Sequence, residues 1–180
     1  MGDDALGETL ATRNIYRGRI FTVDVDRVKL PHGPEIDLEV VRHPGSVVII
    51  PVTATGDIIL VRQYRHVVGR YLWELPAGSL AHGEDPMEGA RRECHEEIGL
   101  VPRVLEQVAA LYPTPGFCSE RMFFYRCTDL QKPATEAHQD EDEDLEPRTF
   151  TLADIRAMLR SGDIADMKTA VGLGLMDGCW

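Results

Sequence analysis

Nowhere does the 180-residue chain hold the run of about 18 apolar residues that a membrane-crossing helix requires, so we expect no membrane span. The opening MGDDALGETL has neither a basic start nor an apolar core, and we expect no secretory leader. Cysteine is scarce and scattered. Cys94, Cys118, Cys127 and Cys179 form no C-x-x-C pair and follow no regular spacing, which argues against a disulfide framework and for free thiols in a reducing cytoplasm. Basic residues are outnumbered, 19 against 30 acids, for a net charge of −11. Such a chain repels nucleic-acid backbones, so a broad DNA or RNA surface is not expected. A phosphorylated ligand would have to be small and met by local arginines or divalent cations.

What is present suits one mixed α/β domain with a small appendage. Apolar residues make up 43% and charged residues 27%, ordinary for a globular chain. Residues 1–11 read as a loose leader. From Asn14 to His43 the pattern is a β-meander, with Phe21, Val23 and Val25 alternating onto one face. SVVIIPV and DIILVRQY are β-branched runs joined by a hairpin around Gly56, and YLWELPAG is a short strand stopped by Pro76 and Gly78. A helix capped by Asp85 follows, with Pro86 at its first position and an apolar stripe of Met87, Ala90, Cys94 and Ile98. Gly99 suits its left-handed end. Then come the strands VLEQVAALY and RMFFYRC, an acidic tract, the strand PRTFTL and two closing helices, the first with Thr151 and Asp154 as a capping box.

The segment GSLAHGEDPMEGARRECHEEIGL, residues 78–100, poses a problem for that helix. Glu93, Glu96 and Glu97 share one face near its C-terminal end, where the dipole is negative and cations are favoured. A solvated acidic face is one reading. A divalent cation that neutralises the carboxylates is the other, and hard oxygen donors suit Mg²⁺ or Mn²⁺.

The flanking residues decide between them. Gly78, Glu84, Arg92, Glu93, Glu96, Glu97, Gly99 and Leu100 stand at G-x5-E-x7-R-E-U-x-E-E-x-G-U, with U a bulky apolar residue. This resembles the Nudix box, with Cys94 as the one departure. LWELPAG, YPTPGFCSER and RHPGSVVIIPV, in their order around the box, look like the ADP-ribose pyrophosphatase branch of that family. The resemblance implies an α/β/α Nudix sandwich with a mixed β-sheet, over residues 45–180. An N-terminal antiparallel β extension, residues 1–44, would serve dimerisation and substrate contact. It also implies hydrolysis of ADP-ribose to AMP and ribose 5-phosphate. GDP-mannose or other nucleoside diphosphate sugars, or a catalytically silent nucleotide-sensing module, are the alternatives.

By the same likeness Glu93 and Glu97 are main metal ligands, Glu96 an auxiliary one, and the Ala77 carbonyl a further one, with Arg92 orienting a carboxylate. Mg²⁺ or Mn²⁺, two or three ions with substrate bound, would be the cofactor. In EAHQDEDEDLE the likeness suggests Glu141 as general base and Glu143 as metal ligand, in a register open among residues 140–144. Arg65 is the first choice for the pyrophosphate, against an exposed strand-end arginine, and Arg42 the second. Tyr16 and Phe21 either stack on adenine or pack in a sheet. Glu74 and Glu120 are candidates for ribose or adenine donors, and Gly116 for a backbone contact in the loop between the strands after the box. A homodimer through the N-terminal extension is expected.

Overall fold

A computed structural model describes residues 6–133 and 145–176, which fall into two compact units. Of the described residues, 6–45 group with 112–121 in one; 46–111, 122–133 and 145–176 belong to the other.

The smaller unit is a three-stranded antiparallel meander of β1 (Glu8–Arg17), β2 (Thr22–Lys29) and β3 (Glu35–Arg42). Strand β1 begins inside the stretch expected to be a loose leader. The polar ETLATRN carries little apolar signal, and its order comes from pairing, Glu8 opposite Lys29 through Arg17 opposite Thr22. In β2 the alternation is present, but its buried members are Asp24 and Asp26 rather than the valines. They are satisfied by polar partners: Arg42 reaches both carboxylates, Thr12 Oγ1 donates to Asp26 at 2.8 Å, and Asn14 Nδ2 donates to Asp24 at 2.7 Å. The loop after residue 111 joins this unit through the backbone, Val41 N–H to Phe117 O at 2.8 Å and Ser119 N–H to Val41 O at 2.9 Å.

The larger unit is built on β4 (Ser46–Pro51), buried along its whole length. Its run of β-branched residues is uninterrupted because both faces are covered. Strand β4 lies between β7 (Ala77–Ser79) and β9 (Met122–Gln131), antiparallel to the first and parallel to the second, with β8 (Val101–Leu111) beyond β9. A second sheet orders β10 (Leu145–Phe150), β5 (Ile58–Arg65) and β6 (Arg70–Glu74). Pro147 is tolerated because β10 is an edge strand. YLWELPAG is thus two strands in different sheets. Pro76, which cannot donate to a ladder, marks the change from one to the other.

Side-chain alternation along β4 separates two cores. Val47 and Ile49 pack with Ala90, Cys94 and Ile98 of α1 (Pro86–Ile98). Val48 and Ile50 pack with Ile155 of α2 (Leu152–Ser161) and Leu173 of α3 (Met167–Met176). Helices on both faces of a mixed sheet give the α/β/α arrangement. Asp85 accepts from the backbone of Met87 and Glu88, and Gly99 ends α1 in the left-handed conformation. Met87 belongs to the exposed side, being 41% exposed, and Gly89 takes its place in the buried stripe. Cys94 and Cys127 are buried free thiols in the same core, and no described helix is long and apolar enough to cross a membrane.

Candidate active site

Helix α1 carries two carboxylates into the protein rather than out of it. Glu93 is 7% exposed and Glu97 3%. Both follow from helical spacing, since they flank Cys94 on the face that packs on β4. Burying a charge costs several kcal/mol unless it is paired or hydrogen-bonded, so each must find a partner. Glu97 Oε1 accepts the backbone N–H of Ala77 at 3.2 Å. Glu93 Oε1 accepts from Arg92 Nη1 at 2.7 Å, and the same nitrogen donates to Glu96 Oε2 at 2.7 Å.

Arg92 is itself fixed at the other edge of its guanidinium. Its Nε and Nη2 donate to the two oxygens of Glu84 at 3.0 and 3.1 Å, and Glu84 also accepts the Ala81 N–H at 2.8 Å. Arg92 therefore titrates well above its ordinary value, chiefly through Glu84 and then Glu93 and Glu96. Those bonds hold Glu84 below the usual carboxylate range. The Glu84 of the sequence motif is thus an anchor for Arg92, a role that spacing alone does not reveal.

Gly78 explains how Glu93 fits. A Cβ at that position would lie 2.0 Å from the Glu93 carboxyl carbon, so the main chain of β7 passes directly against the carboxylate. One guanidinium spans Glu93 and Glu96, and among the described residues no three His, Cys, Asp or Glu side chains converge in metal-ligating geometry. The donor chemistry nonetheless fits a hard divalent cation: carboxylate oxygens at a negative helix end, a glycine cradle, and a backbone carbonyl strand alongside. Glu93, Glu96, Glu97 and the Ala77 carbonyl are the groups that would hold it.

The remaining candidates divide by unit. In the larger unit, Arg65 Nε and Nη2 donate to Glu74 Oε1 and Oε2 at 2.9 and 2.7 Å. Glu74 is 2% exposed, and Lys168 Nζ also donates to it. Burial alone would raise the Glu74 pKa; the bonds from Arg65 and the charge of Lys168 outweigh it and hold the carboxyl below its ordinary value. Arg65 is raised, by Glu74 first, with Glu97 also contributing. Among the described residues Arg65 thus meets a carboxylate on its own hairpin, and Glu74 is buried between Arg65 and Lys168. In the smaller unit, Tyr16 and Phe21 are 55% and 41% exposed with ring centroids 6.2 Å apart. Arg42 pairs with Asp24 and Asp26, Glu120 stands 3.9 Å from His43, and a Cβ on Gly116 would meet nothing within 4 Å. Glu141 and Glu143 lie outside the described residues.

Comparison with known proteins places this helix in a family. A profile of the NUDIX domain matches residues 42–168. The chain belongs to the Nudix family. It is 36% identical over 166 residues to an ADP-ribose pyrophosphatase of Bacillus subtilis, covering 92% of this chain and 90% of that one. A methanol dehydrogenase activator of Bacillus methanolicus is equally similar, 36% over 166 residues with the same coverage. A crystal structure of an ADP compounds hydrolase superposes with a TM-score of 0.82 at 24% identity, over 99% of this chain and 96% of that chain, and shares the fold.

Proposed function

We propose that this Nudix hydrolase cleaves the pyrophosphate of ADP-ribose to AMP and ribose 5-phosphate. The observation that carries the reading is the buried pair Glu93 and Glu97, set against Gly78 and Ala77, in a chain 36% identical to an ADP-ribose pyrophosphatase. Divalent Mg²⁺ or Mn²⁺, two or three ions with substrate bound, supplies charge neutralisation and a water of lowered pKa. The protein's own residues do the rest. Arg92, anchored by Glu84, fixes the Glu93 and Glu96 oxygens in advance of binding. Arg65, with Nε and Nη2 committed to Glu74 and its side chain 41% exposed, offers its remaining edge to the pyrophosphate.

Water attacks one phosphorus, the bridging P–O bond breaks, and the bridging oxygen leaves on the other phosphate. Glu141 takes the water's proton. Glu143 would be a further ligand of the cation, Arg42 is the second candidate for the pyrophosphate, and Tyr16, Phe21, Glu120 and Gly116 are the candidates for the rest of the substrate. The protein works in the cytoplasm as a homodimer through its N-terminal meander. A panel of ADP-ribose, GDP-mannose and other nucleoside diphosphate sugars, with the released nucleotide quantified, tests the substrate. Preferential AMP release from ADP-ribose is the expected outcome; faster cleavage of GDP-mannose would move the enzyme to another branch.

A further inference from the structure

Four consecutive residues, Glu74 to Ala77, are held from four elements, β5, α3, β4 and α1. Glu74 takes Arg65 from β5 and Lys168 from α3. The Leu75 N–H donates to Thr169 Oγ1 at 2.8 Å. The Pro76 carbonyl accepts from the Ile49 N–H at 2.8 Å, and the Ala77 N–H donates to Glu97 at 3.2 Å. Two of these five contacts, those of Lys168 and Thr169, come from the first turn of α3, 94 residues away in sequence.

That turn is organised around Asp166. Its Oδ2 accepts from the Thr169 N–H at 2.9 Å, from the Thr169 hydroxyl at 2.6 Å and from Lys168 Nζ at 2.9 Å. Thr169 is fully buried, so its hydroxyl proton is committed to Asp166 and its lone pair to Leu75. One turn further on, a Cβ on Gly172 would lie 2.5 Å from Leu75 Cδ1, so α3 also seats the Leu75 side chain. An ordinary packing contact would need only apolar surface, and well-packed hydrophobic residues replace buried ion pairs with little or no loss of stability. Charges and a threonine at this place instead fix the position of one short backbone segment.

We propose that the α3 start, Asp166, Lys168 and Thr169, is a positioning device for the metal site, setting the Glu74–Ala77 segment so that Ala77 and Glu97 stay in register. Thr169 acts through Leu75, and Lys168 acts through Glu74. The inference rests on the reading that Ala77 and Glu97 hold a divalent cation, though not on ADP-ribose being the substrate.

The test is Mn²⁺ binding to the substrate-free protein, followed by electron paramagnetic resonance. Thr169→Val keeps the side-chain shape and leaves the Leu75 N–H unpaired. It is expected to weaken Mn²⁺ binding about tenfold, as for other groups that orient metal ligands. Thr169→Ser keeps the hydroxyl and should bind like wild type. Ile155→Val, in α2 on the same face of the sheet, lowers thermal stability without touching the network and should leave affinity unchanged. If Thr169→Val does not fold, Lys168→Met, rescued by Lys168→Arg, asks the same question through Glu74. Wild-type affinity in Thr169→Val, or an equal loss in Ile155→Val, would overturn the proposal, as would absence of Mn²⁺ binding in the wild type. Wild-type protein that binds Mn²⁺ but spares ADP-ribose would defeat the substrate reading alone.

Discussion

Glu93 leaves residue 78 no room for a side chain: a Cβ there would stand 2.0 Å from its carboxyl carbon and 2.3 Å from its farther oxygen. Either the β7 backbone or the carboxylate would have to move. Gly78→Ala is therefore expected to fold and yet lose activity by at least about tenfold, with a matching rise in the metal concentration required. Far-ultraviolet circular dichroism and a metal titration of turnover check it. An alanine variant with an unchanged metal requirement would show that Glu93 adapts freely.

Asp166 gives the fold an acid-sensitive joint. Burial would raise its pKa, but Lys168 and the bonds from Thr169 hold it below the ordinary value. A carboxyl whose folded pKa is depressed binds more protons when unfolded, so its stabilisation is complete above the unfolded pKa of about 4 and is lost as pH falls through the folded value. Melting temperature measured from pH 7 down to about pH 3 should fall more steeply in wild type than in Asp166→Asn. Parallel curves would mean that Asp166 adds no pH-linked stability.

Much of this was legible in the sequence because it is written locally. The Asp85 cap, the Gly99 terminus, the Thr151–Asp154 box and the buried β4 run all depend on neighbours within a few residues. The helix glutamates were legible for the same reason, through spacing on one face. Periodicity failed where polar pairing replaced apolar burial, as at Asp24 and Asp26, and where a strand takes its order from a partner, as in β1. It also gave no hint of Lys168, whose partner Glu74 lies 94 residues away. Asp166 before a helical run is a recognisable cap signal, but only the fold shows that Thr169 behind it carries the Leu75 N–H.

The acidic tract of residues 140–144 is expected to supply the base. Carboxylates bound to cations have depressed proton affinity and few free lone pairs, which leaves the helix glutamates poorly suited to that task. Glu141→Gln should lower kcat by about 10²–10⁴-fold while ADP-ribose binding survives. Glu143→Gln should instead raise the metal requirement. Normal turnover in Glu141→Gln, with loss in Asp140→Asn at saturating metal, would move the base by one residue.

The meander bears on assembly. All ten residues of β1 are exposed, and Leu10, Ile15 and Tyr16 are each at least 46% accessible. A three-stranded sheet with such an edge strand is poorly covered by itself. Light scattering at micromolar concentration should return twice the 20.1 kDa chain mass. A monomer with full activity would refute the dimer.

The most direct measurement is Mg²⁺-dependent release of AMP from ADP-ribose by wild type, Glu93→Gln and Glu97→Gln under the same conditions. Each glutamine keeps the side-chain volume and removes one anionic oxygen donor, so the fold should persist. The account predicts rapid AMP release by wild type, none without divalent metal, and loss of most activity in both variants. Near-wild-type turnover in both variants at modest Mg²⁺ would contradict it.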